Sequence, residues 1–224
     1  EALRTVAATY GTPTYIFDVR EVEARIRLLR SLLPEDTGLC FAVKANPFLI
    51  PYVADLVDRL EVCSPGEYEI CIQEQIAPEK IVVSGVNKTY ESMKRILSYS
   101  KGAGIYTIES EEHAKILRTL AEKNQMPLSV LIRLSSGNQF GVDAETFLRL
   151  AKEIQESPYL TLAGVHYYAG TQKRQSKLEK ELDTLTAFAK TFEEETGTVL
   201  NELEYGAGMK VSYFINDSEK DQRE

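Results

Sequence analysis

The sequence predicts an α/β protein whose fold is a (β/α)8 TIM-type barrel. From residue 39 onward, short apolar runs alternate with longer helical patterns, which is typical of parallel βαβ units. The alternation is regular, and no Rossmann glycine fingerprint follows the first strand. These two observations favour a barrel over a doubly wound sheet. The chain of 224 residues is long enough for one such domain.

A lead-in over residues 1–38 precedes the repeat of strands and helices. In it we expect a helix over residues 1–10, a short strand over 14–17, and a second helix that Asp18 caps and Pro34 ends. The lead-in is therefore treated as a unit separate from the barrel.

The barrel is predicted over residues 39–214 and contains seven strands. The predicted strands cover residues 39–47, 60–64, 80–84, 105–108, 129–134, 160–168 and 202–205. The helices between them are expected over residues 49–59, 67–74, 90–99, 110–124, 144–156 and 176–196. An eighth strand is missing, so we expect an incomplete barrel. Residues 215–224 are polar and charged, and we expect them to be disordered.

Composition excludes several classes of partner. The formal net charge of −8 argues against nucleic acid or an anionic membrane as the main partner. No apolar run approaches the length of about 18 residues that a membrane span needs. Three cysteines without zinc spacing suit reduced thiols, so we expect a cytoplasmic protein with no metal site. Because the sequence opens on Glu1, we interpret it as processed or as an excerpt.

Lys44 stands inside the first apolar run. Burial disfavours a charged ammonium group, so a lysine there either reaches solvent or serves as a reactive amine. A desolvated lysine loses its proton near neutral pH and can form a Schiff base with a carbonyl, including that of pyridoxal phosphate. This stretch alone leaves both interpretations open.

Further polar residues lie where barrel enzymes carry their chemistry, at the C-terminal ends of the strands. Glu61 and Arg133 lie on strands, and alternation places His166 and Tyr168 on one face, directed into the barrel mouth. Small residues at Gly206-Ala207-Gly208 could let backbone N–H groups bind an anion. Taken singly, these could be an interior ion pair, a core histidine and an ordinary turn. Together they indicate one site with an amine, a carboxylate, two aromatic rings and an anion-binding loop.

The segment Phe41-Ala42-Val43-Lys44-Ala45-Asn46 resembles the pyridoxal-lysine motif of the fold-type III pyridoxal phosphate enzymes. It is most similar to the diaminopimelate/ornithine/arginine decarboxylase branch, whose barrel is of the alanine racemase-like kind. Supporting segments appear in the order of that family, at residues 12–18, 61–67, 138–142, 164–172 and 206–208.

The resemblance implies roles for the residues of the predicted site. Lys44 would hold pyridoxal 5′-phosphate as an internal aldimine, and Glu61 would be the acidic residue beside it. Arg133 would fall at the family's strand-five arginine, and His166 and Tyr168 would face the cofactor ring. The phosphate would be bound by Thr171, Gly206 and Gly208.

The sequence also departs from the family pattern. Tyr168 stands where the family has the histidine that stacks on the pyridine ring, and His166 lies two residues earlier on the same face. Ala207 interrupts the glycine triplet. The family's eighth-strand glutamate and its C-terminal β-domain do not follow residue 214.

The implied function is pyridoxal phosphate-dependent decarboxylation of a small amino acid of the diaminopimelate, ornithine, lysine or arginine type, in lysine or polyamine biosynthesis. The resemblance implies a homodimer for the full-length protein, and we expect this chain alone to be inactive. An amino-acid racemase is one alternative, although its lysine motif usually continues Tyr-Gly-His-Gly, whereas this chain continues Pro47-Phe48-Leu49-Ile50. A non-catalytic single-barrel carrier of pyridoxal phosphate, and a structural barrel in which Lys44 merely reaches solvent, are the others.

Overall fold

Seven parallel strands follow one another through a single sheet in chain order. They were located in a computed structural model that describes residues 1–137 and 140–212. The strands are β1 (Cys40–Ala42), β2 (Arg59–Val62), β3 (Ile81–Val83), β4 (Ile105–Ile108), β5 (Leu128–Arg133), β6 (Leu160–Tyr168) and β7 (Glu202–Gly206). Each strand pairs with its neighbours in sequence, as in the wall of a barrel, so the predicted architecture of seven strands is confirmed.

In the part of the chain that the structure describes, eight α-helices connect or precede the strands. They are α1 (Ala2–Tyr10), α2 (Val19–Leu32), α3 (Ile50–Val53), α4 (Pro65–Gln73), α5 (Tyr90–Ser100), α6 (Glu111–Asn124), α7 (Ala144–Gln155) and α8 (Gln175–Thr196). Side-chain caps start five of them, α2 and α4 to α7: the side chain of Asp18 accepts from the N–H of Arg20, and that of Asp143 accepts from the N–H of Thr146.

The sheet curves far enough to bring its later strands back across the interior toward β2. The carboxylate of Glu202 on β7 accepts from Arg59 Nη2 on β2 at 3.2 Å, although four strands separate β2 and β7 in the sheet. Within the described residues, β1 and β7 form the two edges of the sheet. The result is an open barrel rather than a flat sheet.

The core lies on the outer face of the sheet, where the helices pack. In α7 the buried residues fall at helical spacing: Phe147, Leu150, Ala151 and Ile154. The ring of Phe147 is fully buried and meets the rings of two α8 phenylalanines edge to face. This packing fixes β6 and β7, which carry much of the site.

Two predictions for local structure were wrong. Residues 14–17 form no strand, and the side chain of Tyr15 is 96% exposed, because no strand lies beside this segment to complete its backbone hydrogen bonds. The helix expected over residues 49–59 is reduced to α3, which a short 3-10 helix, Pro47–Leu49, precedes. The disordered tail predicted over residues 215–224 lies outside the described residues.

No helix in the described parts of the chain is long and apolar enough to cross a membrane.

Candidate pyridoxal phosphate site

A cavity of about 500 Å³ opens at the C-terminal ends of the strands. Its volume lies within the range of small-molecule sites, roughly 300–1,000 Å³. Seven of the eight residues predicted for the site contribute to its lining: Lys44, Glu61, Arg133, His166, Tyr168, Thr171 and Gly206. Gly208 is not among the described residues that line it. The predicted residues therefore come from five different strands or strand ends and meet at one place.

Lys44 lies just beyond β1, in a 3-10 turn over Val43–Ala45, and its residue is exposed. Its Nζ lies 3.6 Å from Cys63 Sγ and 5.3 Å from the centroid of the Tyr168 ring. Burial is the largest single influence and lowers the pKa of this amine, but Glu61, Cys63 and Tyr168 together raise it more, so the net pKa lies above the ordinary value. The amine of Lys44 is therefore charged at neutral pH, unlike the fully desolvated lysine that one of the two interpretations requires.

Glu61, His166 and Glu204 form a cluster inside the barrel, at the level of β2, β6 and β7. Glu61 Oε1 lies 3.5 Å from His166 Nε2, and one ligand atom of each residue lies within 4.8 Å of the others. Burial would raise the pKa of Glu61, but the contact with His166 and the charge of Lys44 lower it to about 2. Glu61 is therefore ionised, and it supplies the negative charge that faces Lys44.

Glu204 has the opposite electrostatic environment. Burial is the main influence and raises its pKa. The negative charge of Glu61 also raises the pKa, the attraction of His166 lowers it, and the result is a pKa of about 7. Its Oε2 and the Nδ1 of His166 are buried without a hydrogen-bond partner among the described residues. Two buried carboxylates close together do not both ionise readily, so this pair holds a proton near neutral pH.

Arg133 reaches the cavity from β5 and is 8% exposed. Its Nη1 donates to Glu109 Oε2 at 2.7 Å, and its guanidinium carbon lies 5.3 Å from the ring centroid of Phe140 and 6.0 Å from that of Tyr168. The simpler alternative, an interior ion pair between Arg133 and Glu61, is not formed: Arg133 pairs with Glu109, and Glu61 pairs with His166.

Glycines open the rim of the cavity. A Cβ at Gly206 would lie 2.5 Å from the ring of Tyr168, so glycine there lets the ring lie flat against the strand end. Gly208 has φ +58°, and a Cβ there would lie 2.1 Å from the carbonyl oxygen of Gly170. Gly208 thus permits close packing of the 170 loop, with the exposed Thr171 at the cavity rim.

The residues present fit pyridoxal phosphate. The amine of Lys44 can bind an aldehyde, the ring of Tyr168 offers a face for an aromatic ligand, and Arg133 supplies positive charge. The space at Gly206 is one that any side chain would fill. The cavity therefore has an amine, an aromatic face and a cation in an arrangement that suits a planar anionic aldehyde.

Sequence reasoning missed three residues of the site: Cys63, Glu109 and Glu204. Glu204 could have been found from alternation, since it lies two residues before Gly206 and shares its face. Glu109 directly follows β4, so the rule that barrel chemistry lies at strand ends would have indicated it. The contact of Cys63 with Lys44 depends on the side-by-side placement of β1 and β2, which the sequence predicts only coarsely.

Comparison with known proteins agrees with this geometry. The family model for the pyridoxal-binding domain of pyridoxal-dependent decarboxylases matches residues 19–224. The chain is 31% identical to diaminopimelate decarboxylase from Actinosynnema pretiosum subsp. auranticum, over 96% of this chain and 52% of that protein. It is also 31% identical to diaminopimelate decarboxylase from Pseudomonas aeruginosa, over 95% of this chain and 55% of that protein.

Solved structures show the same fold. A crystal structure of AQ1208 from Aquifex aeolicus matches with a TM-score of 0.84 at 25% identity, over 96% of this chain and 54% of that one. Diaminopimelate decarboxylase from M. jannaschii, crystallised with L-lysine, matches with a TM-score of 0.82 at 21% identity, over 96% and 55%. The chain spans about half the length of the curated relatives it matches. The chain belongs to the pyridoxal-dependent decarboxylase family, of which it forms the pyridoxal-binding domain.

Proposed function

We propose that the full-length protein decarboxylates an amino acid with pyridoxal phosphate held covalently on Lys44. The observation that carries this proposal is the position of the Lys44 amine, beside the Tyr168 ring at 5.3 Å and opposite the ionised Glu61, in a cavity large enough for the cofactor. When bound, pyridoxal phosphate supplies the electron sink for the electrons released as carbon dioxide leaves.

The residues around Lys44 would orient the bound ligand and set the electrostatic potential of the site. The ring of Tyr168 supports the aromatic ligand on one face, and Arg133 places positive charge at the same ring. The negative charge of Glu61 favours the protonated form of the Lys44 amine. Thr171 and Gly206 at the rim, with Gly208 shaping the adjacent loop, are the proposed phosphate contacts.

Glu204 is the proposed proton-holding group of the cluster that it forms with Glu61 and His166. A carboxyl group with a pKa of about 7 can take up or release a proton at neutral pH, and Glu204 meets this condition. His166 Nε2 lies 3.5 Å from Glu61, and Glu204 lies close to both residues. We therefore propose that His166 acts together with the two carboxylates.

We infer diaminopimelate as the first substrate to test, because the curated relatives at 31% identity are diaminopimelate decarboxylases. This would place the protein in lysine biosynthesis. Ornithine, lysine and arginine remain the alternative substrates, with polyamine biosynthesis as the corresponding pathway. We expect the full-length protein to be cytoplasmic, because its three cysteines suit reduced thiols, and to be a homodimer, which rests on the family resemblance. The net charge of −8 supports the absence of a nucleic-acid partner.

The test is covalent capture of the cofactor. The full-length protein is loaded with pyridoxal phosphate, reduced with borohydride, digested and mapped by mass. We expect a visible absorbance band that disappears on reduction and a pyridoxyl group on the peptide that contains Lys44. Lys44→Ala should lose both signals, whereas Lys94→Ala, at an exposed helix position, should keep them. Labelling of a different lysine, or none in the wild type, would contradict the proposal.

The products separate decarboxylation from the other candidate functions. A decarboxylase releases carbon dioxide from its substrate, a racemase interconverts the two enantiomers without gas release, and a carrier binds the cofactor but yields no product. Incubation of the loaded protein with each candidate amino acid, with chiral chromatography and carbon dioxide detection, assigns one of the three.

A further inference from the structure

A buried row of charges lies behind the cavity wall, formed by Lys88, Glu109 and Arg133. Lys88 Nζ lies 3.4 Å from Glu109 Oε1, and Arg133 Nη1 lies 2.7 Å from Glu109 Oε2. The side chains of Lys88 and Glu109 are only 2% and 1% exposed. Arg133 alone of the three lines the cavity. None of the steps proposed above uses Lys88 or Glu109.

The carboxylate of Glu109 is divided between its two partners. Oε1 faces Lys88 and also accepts from Thr107 Oγ1 at 3.1 Å, while Oε2 accepts from Arg133. Lys88 is held in turn by the Thr107 hydroxyl at 3.1 Å and by the carbonyl of Gly85. As long as Lys88 occupies one oxygen of Glu109, Arg133 contacts only the other oxygen.

The backbone of Glu109 is also fixed in place. Its N–H donates to His113 Nδ1 at 3.3 Å, which makes Nε2 the protonated ring nitrogen, directed at the carbonyl of Val86 3.2 Å away. Burial lowers the pKa of His113 to about 4, so the ring is neutral in this contact. The carboxylate therefore starts from a rigid position at the end of β4.

The row contains two positive charges and one negative charge, a surplus of one positive charge in a water-poor wall. Burial lowers the pKa of Lys88 to about 8, and Glu109 limits the fall, so Lys88 is still charged at neutral pH. An unbalanced buried charge is costly unless a ligand of opposite sign completes it. Arg133 brings that surplus to the cavity, with its guanidinium beside the rings of Tyr168 and Phe140.

We propose that Lys88 is a positioning residue: by holding one oxygen of Glu109, it keeps Arg133 turned toward the cavity, where its positive charge meets an anionic ligand. Identification of that ligand as pyridoxal phosphate rests on the proposed function. Without Lys88, Oε1 of Glu109 keeps only the Thr107 hydroxyl as a donor and can accept a second hydrogen bond from Arg133. A bidentate pair is the preferred arrangement of arginine with a carboxylate. Arg133 would then turn away from the rings and toward Glu109.

The first test replaces the charge but keeps the length of the side chain, in Lys88→Met of the full-length protein. The dissociation constant of pyridoxal phosphate, measured by titration of its absorbance, should rise about tenfold or more, since a desolvated charge contact is weakened. The absorption maximum of the bound cofactor should also shift. Lys94→Met, whose partner Glu91 lies 3.8 Å away on an exposed helix face, should change neither.

A double variant separates position from charge. In the single variant Lys88→Met, the charges of Arg133 and Glu109 cancel. The double variant, Lys88→Met with Glu109→Gln, has one positive charge in surplus, as the wild type does. It lacks the carboxylate that holds Arg133. If positioning is the role of Lys88, the double variant stays weak in cofactor binding. Recovery to the wild-type dissociation constant would overturn the proposal, because it would show that net charge alone matters. In the single variant the carboxylate of Glu109 keeps Arg133 as its partner, and circular dichroism checks that both variants fold.

A crystal structure of cofactor-free Lys88→Met, or of the double variant if the single one does not fold, tests the geometry without relying on pyridoxal phosphate. In the single variant we expect the guanidinium of Arg133 to bind both oxygens of Glu109 and to leave the ring of Tyr168; in the double variant we expect Arg133 to lose its fixed place. An unmoved Arg133 would overturn the proposal. If the wild type bound no pyridoxal phosphate at all, the proposed function would fail, and the position of Arg133 would still decide the role of Lys88.

Discussion

Lys44 and Glu61 show how one contact sets the chemistry of a site. The pKa of Lys44 is shifted downward by burial and upward by Glu61, Cys63 and Tyr168, and these three together prevail, with Glu61 the largest of them. Only the unprotonated amine attacks an aldehyde, so Glu61 slows the attachment of the cofactor at neutral pH while it stabilises the charged lysine. Glu61 itself is held ionised mainly by its contact with His166.

From this we predict the effect of Glu61→Gln on the pH dependence of cofactor attachment. Removal of the carboxylate takes away the first attraction that raises the pKa of Lys44, while burial still lowers it, so the pKa must fall. A fall of one unit increases the free-amine fraction about tenfold below the pKa. The attachment rate, followed by absorbance across the neutral and alkaline range, should therefore have its midpoint at lower pH. Glu91→Gln should leave the profile in place, and a shift toward alkaline pH would contradict the argument.

A second prediction at this scale concerns the ring of Tyr168, which lies near both cations of the site. Loss of an aromatic contact costs about 0.5–1.5 kcal/mol beyond the area buried. Tyr168→Ala should therefore weaken pyridoxal phosphate binding by about twofold to twelvefold. Tyr168→Phe, which keeps the ring, should bind nearly as the wild type does. Equal weakening in both variants, measured by absorbance titration, would show that the hydroxyl rather than the ring matters.

At the scale of elements, β6 has the largest share in the site. Its alternation predicted from sequence alone that His166 and Tyr168 face the cavity, and both line it, because side chains of a strand alternate whatever surrounds it. The same reasoning failed for residues 14–17, where a strand-like pattern had no neighbouring strand to pair with. It was incomplete for Lys44, since the strand ends at Ala42 and a 3-10 turn carries the lysine.

The pairing of β6 with β7 depends on Gly164. A Cβ at this position would lie 1.9 Å from the carbonyl oxygen of Glu202, a backbone atom that cannot move without β7. Gly164→Ala should therefore separate the two strands, lower the free energy of unfolding by about 1–3 kcal/mol, and displace Glu204 and Gly206 from the site. Chemical denaturation measures the first effect and cofactor titration the second.

The matched control for this variant is Gly66→Ala. In the first turn of α4, a Cβ at Gly66 would meet only the Ser64 hydroxyl oxygen, at 3.9 Å. Its stability and its cofactor affinity should stay close to those of the wild type. If Gly164→Ala were as stable as Gly66→Ala and bound the cofactor equally well, the pairing of β6 with β7 would not depend on Gly164, and the prediction would be wrong.

At the scale of the whole molecule, the periodic sequence predicted the number and order of strands but not which interior side chains pair. The repeat of strand and helix is a local pattern, so it can be read along the chain. The partners Arg133 and Glu109, and Glu61 and His166, meet only because of the register and curvature of the sheet. Those properties depend on all the strands together.

The molecule also has two free sheet edges within its described residues, β1 and β7. Apolar side chains near them are exposed: Leu203 on β7 by 44% and Phe48, just after β1, by 82%. Unpaired strand edges and exposed apolar side chains favour association with further polypeptide. Since the chain spans about half the length of its curated relatives, the remainder of a full-length protein would be the natural partner for these edges.

This leads to a prediction that compares the 224-residue chain with the full-length protein. We expect only the full-length protein to release carbon dioxide from diaminopimelate. The cavity of the 224-residue chain borders both open edges of the sheet, at Cys40 and Ala42 of β1 and at Glu204 of β7. Because these edges are open, the cavity stays accessible to water. The 224-residue chain, if it stays folded, should still be labelled at Lys44 after borohydride reduction, since the amine and the groups around it are present. Circular dichroism controls for folding. Turnover by the isolated chain at a rate near that of the full-length protein would mean that the seven strands suffice, and that the open edges do not limit the chemistry.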